Sequence, residues 1–392
     1  MNTDMDAAAA ALRRRLADRL WEDGSLRSTP WRHALEQVPR EPFLGGRVYR
    51  RRDDPGGTLW EPITPAGDGR RWLELAYEDT TWVTQLDGRY HDDVEPVQGA
   101  PTSSSTLPGL VVRMLEDLEV EDCDRVLEVG TGTGYSTALL CQRLGSDLVT
   151  SVEVDPTVAA RAAEALTSVG YAPVLVIGDG LNGCPARAPY DRIIATCSVR
   201  AVPAAWLAQT RAGGRILVTL SGWLYGSGMV TLEVGGEGDA HGRFLPGAVS
   251  FMPARAHAAP SLGGLPARDG ERQPARYGPD ILNDWMGAFL AQLAAPTASR
   301  HMRVTDGNEP SAELLFDHAT GSYAWLSAAG DNWTVIQNGP VRLWDLIERT
   351  LLAWHDAGEP AQHEFTVSVS PGVQTVRVST PGTPMTWTLR RD

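Results

Sequence analysis

The stretch from Val126 to Ser136 constrains the fold of this chain more than any other segment. It begins as an apolar run and then carries alternating glycines at positions 130, 132 and 134, followed by helix-forming residues. Glycine lets the backbone adopt positive φ and approach a ligand where a Cβ atom would collide. The first turn of the next helix offers unpaired N–H groups and the positive end of the helix dipole. The segment therefore predicts a strand, a ligand-binding loop and a helix in succession.

The spacing of the glycines indicates which ligand the loop holds. Dinucleotide-binding loops have the pattern G-x-G-x-x-G, but here the third glycine comes one residue early and Glu128 lies two residues before the first. The pattern E-x-G-x-G-x-G is typical of methyltransferases, and it predicts S-adenosyl-L-methionine as the cofactor. The loop residues expected to bind it are Glu128, Gly130, Thr131, Gly132, Gly134 and Tyr135.

Hydrophobic patterning between residues 125 and 220 predicts the fold class. Apolar runs typical of strands alternate with amphipathic stretches typical of helices. The predicted strands are 125–129, 148–153, 173–177, 191–196 and 214–220, and the predicted helices are 134–144, 156–168 and 201–211. Parallel strands need crossover connections of this length. We therefore expect an α/β fold with a Rossmann-like, doubly wound methyltransferase sheet.

The rest of the chain predicts three further regions around the methyltransferase domain, which we place at 101–255. Residues 1–100 form an irregular N-terminal extension of the catalytic unit, with a helix at 8–22, a further helix at 107–119 beyond it, and candidate strands at 72–77 and 80–85. Residues 256–279 are poor in large apolar residues and predict a linker. Residues 280–392 predict a smaller α+β domain of two amphipathic helices and a β-meander.

The tryptophans of the C-terminal region suggest what this domain does. The periodic placement of Trp285, Trp344 and Trp354 predicts a core. Trp325 and Trp333 flank a short polar turn and are candidates for an exposed aromatic surface that holds a peptide. Residues 280–392 are therefore a candidate peptide-recognition domain.

Composition excludes several classes of protein. All 35 basic residues are arginine, so a Walker-A lysine and a Schiff-base lysine are excluded. A formal charge of −14 argues against general nucleic-acid binding, which depends on clustered positive charge. The four cysteines show no C-x-x-C pair, and we expect no metal site. With no signal-peptide pattern and no run of about 20 apolar residues, we expect a cytoplasmic protein.

Acidic residues follow two of the predicted strands, where the ribose and adenine of a nucleoside cofactor bind. A carboxylate at the end of the second strand can accept both sugar hydroxyls, and Glu153 occupies this place with Asp155 as a close competitor. Asp179 is a candidate acceptor for the adenine amino group. Each acid alone fits a helix cap or a solvated turn equally well. The predicted cofactor contacts here are Glu153, Val154, Asp179, Gly180 and Leu181.

Five consecutive hydroxyl residues, from Thr102 to Thr106, precede Leu107 and Pro108. A hydroxyl cluster before a proline and a helix is by itself typical of a helix cap or a flexible loop. Its position before the glycine loop also suits it to holding a carboxylate near the cofactor. We therefore treat Ser103, Ser104, Ser105 and Thr106 as candidate substrate contacts.

Residues 30–255 resemble the protein-L-isoaspartate O-methyltransferases. The resemblance rests on the motifs Val38–Phe43, Ala76–Asp79, the hydroxyl cluster with Pro108, Leu127–Ser136, Val152-Glu153, Gly178–Gly180, Pro189–Ile194 and Gly213–Leu217. It implies an active-site hydroxyl two residues before the proline, where this chain has Thr106 in place of serine, and substrate contacts at Tyr77 and Asp79. The extra C-terminal region resembles longer actinobacterial members that methylate an aspartate in a ribosomally made macrocyclic peptide.

The chemistry that the resemblance implies needs no general base, because a carboxylate is already ionised at neutral pH and attacks the methyl group directly. The ester then closes to a succinimide (aspartimide) and opens to aspartate or isoaspartate. General repair of isoaspartyl proteins shares the first step and remains an alternative. Two further alternatives are a non-catalytic peptide-binding module that keeps the cofactor fold and an enzyme that methylates a small molecule.

Overall fold

The structure of this chain, a computed structural model, describes residues 3–54, 57–65, 67–236, 238–304, 312–330, 332–380, 382 and 384–389. The chain divides into two compact units. Unit 1 comprises Met1–Thr196 and Ala208–Leu217, and unit 2 comprises Cys197–Leu207 and Val218–Asp392. The boundaries between these two units differ from the domain boundaries that we predicted after residues 100, 255 and 279. The predicted boundaries therefore stay a proposal.

Helices and strands are numbered in chain order. The helices are α1 (Thr3–Glu22), α2 (Thr29–Gln37), α3 (Gly69–Ala76), α4 (Pro108–Asp117), α5 (Tyr135–Leu144), α6 (Pro156–Ser168), α7 (Ala204–Gln209), α8 (Trp285–Ala294) and α9 (Leu343–Asp356). Strands before residue 222 are β1 (Val48–Asp54), β2 (Gly57–Ile63), β3 (Trp82–Leu86), β4 (Pro101–Ser105), β5 (Val126–Val129), β6 (Val149–Glu153), β7 (Val174–Ile177), β8 (Tyr190–Val199) and β9 (Thr210–Ser221). The later strands are β10 (Ser227–Val234), β11 (Ala240–Phe244), β12 (Glu271–Ala275), β13 (Ala298–Val304), β14 (Ala312–Asp317), β15 (Tyr323–Ala329), β16 (Asn332–Asn338), β17 (Thr366–Ser370), β18 (Val373–Val378) and β19 (Met385–Leu389).

A parallel sheet in unit 1 confirms the predicted α/β class. Its strand order is β9-β8-β5-β6-β7, and β5 pairs in parallel with both β6 and β8. The chain proceeds from β5 to β6 and β7 on one side and then returns to place β8 on the other. This reversal creates the crevice at the carboxyl ends of the strands where ligands of such sheets bind. The loop after β5 therefore opens at the switch point.

A second sheet in unit 1, with the order β2-β1-β3-β4, is built from residues 48–105. The predicted strand at 72–77 was wrong, because these residues belong to helix α3. Asp68 caps that helix by accepting the Arg71 N–H at 3.0 Å. The buried residues Trp72, Leu73, Leu75 and Ala76 fit the stripe of a helix, which a six-residue window cannot distinguish from a strand. The hydroxyl cluster also differs from expectation, since it forms β4.

Unit 2 contains the predicted helices and the C-terminal meander. Strands β19, β18, β17, β11 and β10 follow one another in one sheet, and β12-β16-β15-β14-β13 form another. The expected linker at 256–279 was wrong in part, because it contains β12. That strand lies at a sheet edge, where Pro274 is tolerated because one side of the strand needs no N–H donors.

The expected exposed aromatic surface was also wrong for one of its two residues. The Trp325 side chain is only 1% exposed and packs in the core of unit 2 with Leu314, Tyr323 and Ile336. Its position on the central strand β15 gives it an inward-facing register. Trp333 remains half-buried. Among the residues that the structure describes, no helix is long and apolar enough to cross a membrane.

Candidate functional site

The loop after β5 adopts the conformation that its glycines predict. Gly130, Gly132 and Gly134 have φ values of 93°, 55° and 90°, in the region that favours glycine. The backbone at Gly132 also lies close to β4, because a Cβ atom there would sit 3.8 Å from the Ser104 carbonyl oxygen. A Cβ atom at Gly134 would lie 3.3 Å from the Cβ of Ala162. The first two glycines therefore shape the loop, and the third lets α5 approach α6.

Glu128 supports this loop from within the protein. Its carboxylate is fully buried and accepts hydrogen bonds from three hydroxyls, those of Ser136 at 2.5 Å, Ser151 at 2.7 Å and Thr137. Burial raises the pKa of this carboxyl, and the three donors oppose the rise. Thr131, also buried, shares a hydrogen bond with the Ser151 hydroxyl at 2.6 Å. Of the predicted cofactor contacts, the side chains of Glu128 and Thr131 thus hold the loop in shape.

Glu153, at the end of β6, is the acid that faces the loop. One carboxylate oxygen accepts the Gly132 N–H at 2.9 Å and the other accepts the Asp155 N–H at 3.0 Å. Asp155 caps α6 instead, since its Oδ1 accepts the N–H groups of Thr157 at 2.9 Å and Val158 at 3.2 Å. The sequence left Glu153 and Asp155 as candidates for the ribose contact, and these hydrogen bonds favour Glu153.

The turn after β7 brings the second predicted acid to the same edge of the sheet. Asp179 is exposed, and its Oδ1 accepts the Leu181 N–H at 3.0 Å. Gly180 is required by packing, because a Cβ atom there would lie 2.4 Å from Cγ1 of Val129. Val154, which follows Glu153, exposes 43% of its surface. An apolar surface beside two acids suits a nucleoside, whose base is flat and whose sugar carries hydroxyl donors.

Strand β4 divides the predicted substrate hydroxyls into two sets. Ser103 and Ser105 are buried; the first accepts a hydrogen bond from the Thr84 hydroxyl at 3.3 Å and the second from Arg40 at 3.4 Å. Ser104 and Thr106 alternate with them and are partly exposed. Within the described residues, neither of their hydroxyls takes part in a hydrogen bond. Because alternate residues of a strand face opposite sides, Ser104 and Thr106 are the two that remain for a ligand.

Arg40 is a residue of the site that sequence reasoning missed. Its side chain is 0% exposed, yet among the residues that the structure describes its guanidinium hydrogen-bonds only main-chain carbonyls and one hydroxyl. Carbonyl acceptors before β3 are those of Ala76, Glu78 and Thr80, at 3.0, 2.9 and 2.9 Å. Those at the end of β4 and just beyond it are the carbonyls of Ser105 and Thr106, at 3.3 and 3.1 Å.

Through these contacts Arg40 joins the segment before β3 to the end of β4 and Thr106, the predicted active-site residue. Burial lowers the pKa of Arg40 to about 10, which still leaves the group charged at neutral pH. The motif Val38–Phe43 was the only feature of the sequence that pointed to Arg40. Main-chain carbonyls occur in every residue, so the partners of Arg40 cannot be recognised from residue types.

Tyr77 and Asp79 were predicted to contact the substrate, and the structure gives both a role inside the protein. The Tyr77 hydroxyl is buried, donates to Glu41 and accepts from Arg13 at 3.1 Å. Asp79 accepts the Gly109 N–H at 2.7 Å and so satisfies the first turn of α4. These hydrogen bonds position the segments around Thr106. Tyr77 is buried whereas Asp79 is exposed, and a contact of either residue with the substrate stays a prediction.

Tyr135, the residue after the third glycine, packs away from the loop. Its ring lies 5.8 Å from that of Phe43, and the Arg40 guanidinium stands 5.8 Å from its centroid. Its hydroxyl is buried and has no hydrogen-bond partner within the described part of the chain. Burial raises the pKa of this phenol. Tyr135 thus belongs to the packing around Arg40 more than to the cofactor surface.

Comparison with known proteins matches this region to one family. Residues 77–229 match the model of the family described as protein-L-isoaspartate(D-aspartate) O-methyltransferase. Among relatives, protein-L-isoaspartate O-methyltransferase 2 of Pelobacter propionicus is 38% identical over 221 residues, which are 56% of this chain and 80% of that protein. The protein-L-isoaspartate O-methyltransferase of Rhodopseudomonas palustris is 36% identical over 221 residues, which are 56% of this chain and 82% of that protein.

A solved structure resembles a much larger part of the chain. It is described as a protein-L-isoaspartate O-methyltransferase, and the match covers 94% of this chain and 99% of the other with a TM-score of 0.53. Sequence identity is 20%, so the likeness concerns the fold alone. It extends beyond the part that the two relatives match.

Proposed function

Because the chain belongs to the protein-L-isoaspartate O-methyltransferase family, it is an S-adenosylmethionine-dependent carboxyl methyltransferase, and we propose that its substrate is an aspartyl or isoaspartyl group of a ribosomally made peptide. The observation that carries the proposal is the approach of β4 to the cofactor loop, measured by the 3.8 Å between the Ser104 carbonyl oxygen and a Cβ atom placed on Gly132. Uncommitted hydroxyls thereby stand beside the place where the methyl donor binds.

The residues present fit S-adenosylmethionine, which supplies an electrophilic methyl group. Glu153 retains lone pairs for the ribose, Asp179 is exposed for the adenine, and Gly132 leaves room for the backbone to approach the ligand. Ser104 and Thr106 hold the incoming carboxylate by donating hydrogen bonds to it. The chain needs no general base for the transfer, because the carboxylate is ionised at neutral pH and loses no proton. Positioning and exclusion of water carry the rate.

The proposed product is a methyl ester that closes by attack of the next backbone amide, with loss of methanol, to a succinimide that hydrolyses to aspartate or isoaspartate. Methylation of isoaspartyl groups in proteins at large is the alternative, and the names of the two relatives favour it. A cytoplasmic location and the absence of nucleic-acid partners remain part of the proposal.

A methylation assay separates these possibilities. Purified enzyme is incubated with labelled S-adenosylmethionine and matched aspartyl, isoaspartyl and macrocyclic peptides. A dedicated enzyme gives base-labile label and loss of water in one peptide context, with kcat/KM at least about a hundredfold above unrelated isoaspartyl peptides, a discrimination of roughly 2.7 kcal/mol. Equal kcat/KM for unrelated isoaspartyl peptides supports the general activity instead. Label in no peptide at all would contradict both.

A further inference from the structure

Gln85 is a fully buried polar residue on strand β3 that the proposed methyl transfer does not use. Both ends of its amide are engaged. Its Nε2 donates to Asp155 Oδ2 at 3.2 Å, and its Oε1 accepts from the Thr102 hydroxyl at 2.7 Å. The first partner lies in the turn that carries the ribose acceptor, and the second lies on the substrate strand β4. One side chain therefore bridges the two halves of the site.

The bridge continues to the cofactor loop without interruption. The Asp155 N–H donates to Glu153 at 3.0 Å, and Glu153 accepts the Gly132 N–H at 2.9 Å. A chain of hydrogen bonds thus runs from Thr102 through Gln85, Asp155 and Glu153 to Gly132. Every group in it is fixed by the next, so a ligand that orders one end changes the free energy of ordering the other.

The pairing of β3 with β4 is irregular at the same place. The register shifts on both sides of Gln85, between Val83 and Gln85 and between Gln85 and Leu86. At the second shift Thr102 lies between Pro101 and Ser103, the partners of Leu86 and Gln85, and its hydroxyl accepts the Gly88 N–H at 2.9 Å as well as donating to Gln85. Bulges of this kind re-aim side chains beside active sites. The irregularity is what turns Thr102 toward Gln85.

We propose that Gln85 is a positioning residue that couples cofactor binding to the order of the substrate strand. When Glu153 is engaged by the ribose, the chain through Gln85 holds β4, and with it Ser104 and Thr106, in the geometry that receives the carboxylate. The proposal rests on the proposed function for the identity of the second ligand. The first part of the proposal, that cofactor binding orders strand β4, concerns only this chain and S-adenosylhomocysteine.

Hydrogen exchange on the full chain tests the cofactor half. In the wild-type protein, saturating S-adenosylhomocysteine should slow exchange of the amides within the segment 101–106, where Pro101 itself has no N–H, by about fivefold or more, alongside those of the loop 130–134. Gln85→Met, which is similar in volume but makes no such hydrogen bonds, should protect the loop and leave 101–106 unchanged. Thr102→Val should behave in the same way and stands in for Gln85→Met if that variant does not fold.

Thr84→Val is the matched control. Thr84 also lies on β3 and its hydroxyl also bonds a β4 residue, Ser103, at 3.3 Å, but this bond does not lead to Asp155. The control should retain the protection of 101–106. Protection of 101–106 in Gln85→Met equal to that of the wild type would overturn the proposal, as would its absence in the wild type when the loop is protected.

Binding of an isoaspartyl peptide tests the substrate half. S-adenosylhomocysteine should tighten the peptide Kd by about fivefold or more in the wild type and in Thr84→Val, and by a factor near one in Gln85→Met. An unchanged tightening in Gln85→Met counts against the coupling role. If no aspartyl or isoaspartyl peptide binds or is methylated while 101–106 is protected by the cofactor product, the proposed substrate is wrong and the coupling stands.

Discussion

Ser104 and Thr106 differ from the hydroxyl residues beside them because, in the described part of the chain, their hydroxyl oxygens make no hydrogen bond. Ser103 and Ser105 are held by Thr84 and Arg40. The residues alone offered all four as candidate substrate contacts, and only the family resemblance singled out Thr106. Alternation along a strand separates them, but the sequence predicted a loop or cap at this place and so provided no register to apply.

Thr106→Ala should reduce kcat by about 10- to 100-fold, because the substrate carboxylate loses a group that aligns it with the methyl donor. The Kd for S-adenosylhomocysteine should stay within about twofold, since Thr106 is assigned to the substrate. Isothermal titration and initial-rate measurements check the two quantities. Thr106→Ser is the matched control and should retain most of the activity. A loss that falls mainly on cofactor affinity would contradict the assignment.

Glu153 and Asp155 show a second limit at the residue scale. Both follow β6 and both carry carboxylates, so composition and spacing do not separate them. The structure separates them, because the carboxylate oxygens of Asp155 accept hydrogen bonds from the first turn of α6 and from Gln85. Choosing between them required knowing that α6 begins at Pro156.

At the scale of elements, the alternation of strands and helices between residues 125 and 220 was predictable because hydrophobic period is a local property. The switch point between β5 and β8 followed from it, and so did the loop. The helix α3 was not predictable in the same way, because its short apolar stretch fits both the helical period of 3.6 residues and the strand period of two. Arg40 was missed because the elements that it joins meet only in the fold.

Gly180→Ala should weaken S-adenosylhomocysteine binding by about tenfold or more. The new methyl group would meet Val129 of β5 at 2.4 Å, so the turn that carries Asp179 must move, at a cost of about 1–3 kcal/mol. Gly178→Ala in the same turn is the control, because a Cβ atom there has no neighbour within 4 Å. Fluorescence or calorimetric titration checks the Kd. Adding Val129→Ala should restore part of the affinity, and no restoration would argue against the steric cause.

Strands β13 and β14 place two histidines against one hydroxyl, and this gives unit 2 a pH dependence. The Ser299 oxygen lies 2.9 Å from His301 Nε2 and 2.8 Å from His318 Nε2. Burial lowers the pKa of both imidazoles from the ordinary value of 6.5, and the neighbouring His301 lowers that of His318 further. The unfolded chain therefore binds more protons below about pH 6.5, and stability falls as the pH decreases through that range.

Urea denaturation of the full chain between about pH 7.5 and 5.5 should show that the urea concentration at the unfolding midpoint of unit 2 decreases on acidification. The double substitution His301→Gln and His318→Gln removes both titrating groups and should flatten this dependence. An equally steep decrease in the double variant would assign the acid sensitivity to other groups.

At the scale of the whole molecule, unit 2 begins well before residue 280, so the C-terminal region cannot be separated there without dividing a compact unit. Its helices and meander were expected from the sequence, but the boundary at residue 280 was drawn from a fall in apolar content. Strand pairing at long sequence separation decides such a boundary, and no local pattern reports it. Within unit 2, β11 pairs with β17 and β12 pairs with β16.

A chain that ends at residue 279 should therefore fail to fold cooperatively. It would retain β12 without its partner β16, and β11, still paired with β10, would lose β17 from its other edge. Unpaired strand edges of this kind associate. We expect an insoluble or dye-binding product, checked by size-exclusion chromatography and thermal unfolding. A soluble truncated protein with a single sharp unfolding transition would show that the earlier boundary is the true one.

The division of hydroxyls along β4 also bears on how such an enzyme changes over evolutionary time. We expect substitutions at residues 103 and 105 to disturb hydrogen bonds within the fold, and substitutions at 104 and 106 to spare the fold and change which substrate the enzyme accepts. A threonine at 106 is a change of the second kind. Descendants of one ancestor can therefore diverge in substrate preference at these two positions while the scaffold around them stays constant.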